Sequence, residues 1–120
     1  MSKSLGNFIT IGDFLRRCPA NFLRFFVLKT LWHSPIDYSE STLIEVRATI
    51  AKIEDFLRRI KSAKTAKGSK DVLRLLKSFK ENFYAKLDDD FNTPEAFAVL
   101  FDFMKEINVL DVEVKNIQKR

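Results

Sequence analysis

Apolar positions recur along this chain at steps of three and four, the spacing of one face of an α-helix. Leu43, Val46, Ile50, Ile53, Leu57 and Ile60 form a heptad-like seam suited to antiparallel helical neighbours. Val72, Leu76, Phe79, Phe83 and Leu87 form a second stripe, and Phe97, Leu100, Phe101, Met104 and Ile107 a third. No segment alternates strictly for long enough to line a sheet. The pattern predicts an all-α fold. An antiparallel helical bundle over 39–120 follows a short loop or strand near Phe8-Ile9-Thr10 and a helical segment that extends to residue 38.

Polar residues at the edges of these stripes set the expected boundaries. Thr10 caps a short helix through Arg17, with Asp13 three residues on, where a helix N-terminus favours negative charge. Pro19 is placed to open a second helix through Phe22, Leu23, Phe25, Phe26, Val27, Leu28, Leu31 and Trp32, ended by His33-Ser34-Pro35. That helix is apolar nearly all round, so it requires cover on more than one side, and a part left bare would favour self-association. Ser39 or Thr42 caps the third helix, Thr42 and Glu45 matching a capping box. Lys61 to Lys70 is a polar connection whose lysines, Lys61, Lys64, Lys67 and Lys70, suit a solvated loop better than a phosphate clamp. Thr93 caps and Pro94 starts the fifth helix. The charged tail from Asp111 is weakly patterned and is expected to be frayed helix or disorder.

Composition narrows the classes. The chain has 120 residues, one domain by length, and 46% apolar residues, enough for a core. Three Gly and three Pro leave room for few turns, hence long elements. The net charge of +5 admits an anionic partner such as RNA without requiring one. A single cysteine, Cys18, excludes a disulfide framework and fits a reducing, cytoplasmic compartment. No apolar run reaches the roughly 18 residues of a membrane span, and Met1 to Asn7 lacks the apolar core of a signal peptide.

Candidate chemistry is sparse. Met1-Ser2-Lys3-Ser4 leading into Leu5-Gly6-Asn7 is a short hydroxyl-rich loop with one mobile cation, a composition that can hold a polyphosphate. Asp88-Asp89-Asp90 invites a hard cation, but lacks the alternating ligands of a calcium loop and suits a helix junction better. His33, the only histidine, has no nucleophile placed around it. Cys18 before Pro19 suits packing better than catalysis. Arg16, Arg17, Arg24 and Lys29 lie on or beside the apolar helix, where they can meet an RNA backbone or snorkel over the bundle.

Three separated blocks resemble one family. Met1-Ser2-Lys3-Ser4 resembles the last four residues of the Lys-Met-Ser-Lys-Ser signature of class I aminoacyl-tRNA synthetases. Its continuation Leu5 to Ile11 resembles the cysteinyl and methionyl branches. His33-Ser34-Pro35-Ile36-Asp37-Tyr38-Ser39-Glu40 and Asp88-Asp89-Asp90-Phe91-Asn92-Thr93-Pro94-Glu95-Ala96 both resemble cysteinyl-tRNA synthetases, and they occur in the family's order. The resemblance covers most of the chain outside 61–75 and the tail. Where the family has an Asp-Ala-Leu-Arg-like string this chain reads Asn21-Phe22-Leu23-Arg24, of which only Leu23 and Arg24 agree.

The resemblance implies roles. Lys3 would contact ATP and stabilise the transition state of amino-acid activation, with Ser2 and Ser4 shaping the loop. Arg16, Arg17, Arg24 and Lys29, the basic set read above, are then candidates for contact with tRNA. Residues 1–38 would hold the signature loop and a segment that contacts the inside of the tRNA L. Residues 39–120 would begin the bundle on the anticodon side. The first lysine of the signature, the nucleotide-binding Rossmann half and the Cys/His zinc site that selects cysteine are not in the sequence. One Cys and one His cannot rebuild that zinc site. The expectation is a C-terminal fragment of a cysteine–tRNA ligase. It would be inactive alone, with ATP as substrate and with tRNA and the Rossmann half as partners. The alternative is a stand-alone synthetase-derived module that binds RNA or a partner protein.

Overall fold

A computed structural model describes residues 9–62 and 70–118, with side chains for 9–61 and 70–110. Five helices account for most of the described residues: α1 (Ile11–Arg17), α2 (Ala20–Leu28), α3 (Glu40–Ser62), α4 (Lys70–Asp88) and α5 (Thr93–Gln118). No strand occurs among the described residues, so Ile9 and Thr10 lead into α1 without forming one. The chain divides into two compact units, residues 1–62 and 63–120.

In the first unit, α1 starts because the Thr10 hydroxyl accepts the Asp13 N–H at 3.0 Å. It ends at Cys18, whose extended backbone suits a residue before proline. α2 is shorter than the apolar run predicts. It stops at Leu28 instead of continuing to Trp32, and Pro19 sits at the cap position, one residue before the first helical residue. A helix prolonged to Trp32 would meet Ser34-Pro35, and the proline ring disfavours helical backbone at Ser34. The chain instead tightens to i−3 bonds, Thr30 N–H to Val27 and Ser34 N–H to Leu31. α3 starts at Ser39. Its hydroxyl accepts the Thr42 N–H at 3.1 Å, and the Thr42 hydroxyl accepts the Ser39 N–H at 2.8 Å. Of the two capping candidates Ser39 is the cap, and Thr42 answers from the third helical position.

The core of this unit has two clusters, Phe14–Cys18–Leu43 and Phe26–Val46–Ile50. Tyr38 packs against both. Its ring lies 6.2 Å from Phe14 and 5.9 Å from Phe26 in edge-on geometry, while Phe14 and Phe26 are 6.0 Å apart. The predicted seam of α3 holds for Leu43, Val46 and Ile50, which are buried, continues half-buried at Ile53, and fails at its end. Leu57 and Ile60 are exposed at 49% and 46%, and Phe56 is buried in their stead. At 1.5 Å per residue the nine residues of α2 span about 13 Å, so α1 and α2 cover only the first half of the 23-residue α3.

The second unit is an antiparallel pair. Phe79 stacks on Phe103 at 4.6 Å and lies 5.4 Å from Phe83. The predicted α4 stripe faces inward, yet none of its residues is fully buried, because a single partner helix covers only one side. Between the helices Asp90 and Phe91 both take left-handed backbone, φ 50° and 54°. The Phe91 N–H bonds the Leu87 carbonyl, and the Asn92 N–H bonds the Lys86 carbonyl, both at 3.1 Å. The cap of α5 is Asn92, one residue earlier than predicted. Its carbonyl accepts the Ala96 N–H and its side-chain oxygen the Glu95 N–H. Thr93 is thereby the first helical residue and is buried. The tail from Asp111, expected to be frayed helix or disorder, is helical as far as Gln118.

Candidate functional site

The phosphate-loop residues Ser2, Lys3 and Ser4 lie outside the described residues. The basic residues that follow are placed, and each is handled differently. Arg16 pairs with Asp13 one turn back at 3.1 Å and is strongly exposed. Arg17 reaches across to the start of α3. Its Nη2 donates to both Glu40 carboxylate oxygens at 3.0 Å, and its Nη1 donates to the Tyr38 hydroxyl at 2.9 Å. Hydrogen bonding from Arg17 holds the Glu40 carboxyl below its ordinary range, against a smaller opposing push from desolvation. The same bond, with the carboxylate charge, raises the Arg17 guanidinium above its own.

Arg24 donates to the Asn21 side-chain oxygen at 2.8 Å on the outward side of α2. The Lys29 ammonium lies over the Phe26 ring, 5.9 Å from its centroid, a cation–π placement. The four candidates therefore do not converge on one pocket. Arg17 is committed to a structural pair, while Arg16 and Arg24 are held only by neighbours on their own helices. Tyr38, which sequence reasoning passed over as a single residue, links the aromatic core to that pair through its hydroxyl. The one signal available was its position inside the block from His33 to Glu40.

The remaining candidates sit at structural posts. Cys18 is buried beside Phe14 and Leu43 and accepts an N–H from Arg47 Nη2 at 3.5 Å. His33 is exposed and meets the Trp32 ring edge-on. Neither is a member of a ligand set, and among the described residues no group of three or more His, Cys, Asp or Glu could hold a metal. The residues here do not fit a zinc ion. Asp88 closes α4, and Asp89 and Asp90 form the turn after it. No described helix is long and apolar enough to cross a membrane.

Comparison with known proteins covers both units. The family model of the class I (C) tRNA synthetase catalytic domain matches residues 1–48, and that of the DALR domain matches residues 82–119. Cysteine–tRNA ligase of Thioalkalivibrio sulfidiphilus is 40% identical over 92% of this chain and 22% of its own length. Those of Shewanella amazonensis and Escherichia coli O157:H7 are 42% and 39% identical, over 92% and 94% of this chain and 22% and 23% of theirs. Over nearly its whole length the chain is similar to the C-terminal part of cysteinyl-tRNA synthetases. It spans about a fifth of the length of these relatives, as one piece of such a synthetase would. All three synthetase blocks seen in the sequence fall in the matched regions, and the block from His33 to Glu40 ends at the junction that Arg17 fastens. These matches favour a piece of the ligase over a stand-alone module.

Proposed function

We propose that this chain serves within a cysteine–tRNA ligase, supplying the ATP-contacting loop and part of the scaffold that faces tRNA. The assembled enzyme activates cysteine with ATP and esterifies it to its tRNA in the cytoplasm. In this reading residues 1–38 carry the signature loop and a stem-contacting segment, and residues 39–120 begin the tRNA-side bundle. The Lys3 ammonium meets the charge that develops on the leaving pyrophosphate, and Ser2 and Ser4 shape the loop around it. Arg16, Arg24 and Lys29 meet phosphates of tRNA. Arg17 joins them through its remaining donor capacity while it holds α1 against α3.

The observation that carries this reading is that both ends of the chain match synthetase domains while 38–42% identity to cysteine–tRNA ligases runs through nearly all of it. In this reading the site that selects cysteine belongs to other parts of the ligase, and the chain is inactive alone. Zinc, where the enzyme uses it, is held by other parts of the ligase. Val27, an apolar residue of α2 exposed at 44%, is a point through which copies would associate.

Cysteine-dependent exchange of pyrophosphate into ATP by the purified chain tests the inactivity. None is expected, and sustained exchange would contradict the reading. Binding of labelled tRNA tests the scaffold role. Affinity should fall steeply with salt, and absence of binding at low salt would contradict it.

A further inference from the structure

Trp32 is the only tryptophan of the chain and stands 64% exposed in the turn that follows α2. It is not loose. His33 meets its ring edge-on at 5.1 Å and 81°, and the Ser34 N–H bonds the Leu31 carbonyl at 2.9 Å, closing the turn around it. A large π-face exposed to water suits stacking against a base. The charge around it in the chain has one sign. Between Asp13 and Asp37 the sequence carries Arg16, Arg17, Arg24 and Lys29 and no carboxylate. Arg24 points outward with Asn21, and Glu40, which follows Asp37, is already held by Arg17. An exposed aromatic face in a stretch of cations without acids matches a single-stranded nucleic acid, whose bases stack and whose phosphates need cations.

We propose that Trp32 is a stacking platform for an unpaired RNA base, with Arg24 and Lys29 serving the flanking phosphates. This rests on the tRNA-facing role proposed above and adds the residue that meets a base. Because bases of every type have a π-face, the contact prefers unpaired nucleotides over any particular sequence.

The lone tryptophan makes the test direct. Its emission is followed while the full chain is titrated with unfractionated tRNA, a single-stranded RNA, a blunt RNA duplex and inorganic polyphosphate; fluorescently labelled tRNA reports binding separately. Quenching by tRNA and the single strand, and none by the duplex or polyphosphate, is the expected result. Trp32→Ala should weaken single-strand binding by about 5- to 100-fold, the range for one lost base stack, while Trp32→Phe retains most of it. Salt-dependent binding of labelled tRNA without quenching would overturn the platform and leave the tRNA-facing role standing. No binding of any RNA at low salt would overturn both. Trp32→Ala that leaves RNA affinity unchanged and abolishes self-association in light scattering would assign the ring to a protein contact and overturn the proposal.

Discussion

Arg17, in the last turn of α1, and Glu40, the first residue of α3, are joined across 23 positions of sequence by one guanidinium nitrogen bonded to both carboxylate oxygens at 3.0 Å. The same guanidinium holds the hydroxyl of Tyr38, whose ring touches Phe14 and Phe26. A polar clasp at the surface is therefore continuous with the aromatic core, and it fixes where the helix bearing Arg16 and Arg17 meets α3.

That clasp titrates on its acid side. Glu40 has a depressed folded-state pKa, so its contribution is present above the unfolded carboxylate range and is lost as pH falls through the folded value. Arg17 is shifted upward and stays charged across the working range. Glu40→Gln should remove part of the acid-side fall in melting temperature and leave the neutral-to-alkaline side flat. The effect is small, because the two side chains are 67% and 45% exposed and solvent screens them. Melting curves from pH 3 to 8 check it; identical acid slopes in both proteins would contradict it.

Phe14 and Trp32 should separate cleanly in urea unfolding of the first unit. Phe14 is 3% exposed between Phe26 and Tyr38, so Phe14→Ala should cost about 3–5 kcal/mol, the range for truncating a buried phenylalanine. Trp32→Ala should change stability by about 0.5 kcal/mol or less, as surface substitutions do. Equal costs would contradict this division between core and contact surface.

The turn between α4 and α5 gives a prediction of opposite sign to helix propensity. Phe91 has φ 54°, a left-handed conformation that costs a residue with a Cβ about 1–2 kcal/mol. Glycine avoids that cost but loses about 0.4–1 kcal/mol through the freedom it adds to the unfolded chain. Phe91→Gly should therefore be more stable than Phe91→Ala by roughly 1 kcal/mol. Chemical denaturation of the two variants checks the order, and the reverse order would contradict the backbone assignment.

The cap of α5 offers a sharper local check. Asn92→Ala should cost about 1 kcal/mol because the Glu95 N–H loses its acceptor, while Asn92→Asp should be neutral or better. Loss of stability in both variants alike would contradict Asn92 as the cap.

Helix number and type were legible because the stripes from Leu43, Val72 and Phe97 keep a helical period over several turns. The Thr10 cap was legible because its partner, Asp13, is three residues away. The errors came where neighbours decide. Leu57 and Ile60 fit the periodic seam, but α1 and α2 are too short to cover them. Trp32 continues an apolar run, but Pro35 breaks the backbone before it. Asn92 and Thr93 are both good caps, and the Ala96 N–H bonded to the Asn92 carbonyl, with the Glu95 N–H bonded to its side chain, selects Asn92. Of the site, the basic residues were visible, but their division into a clasp, two helix-bound arginines and a cation over Phe26 was not. Those partners lie up to 23 residues apart, beyond any local pattern.

The most direct measurement is pyrophosphate exchange with the rest of a cysteine–tRNA ligase supplied as a separate polypeptide. Neither polypeptide alone should exchange. Together they should restore cysteine-dependent exchange, and Lys3→Ala should cut the restored rate by on the order of 10²–10³, the loss expected for one group stabilising developing charge. Exchange by the ligase remainder alone, or restored exchange indifferent to Lys3→Ala, would contradict the role proposed here.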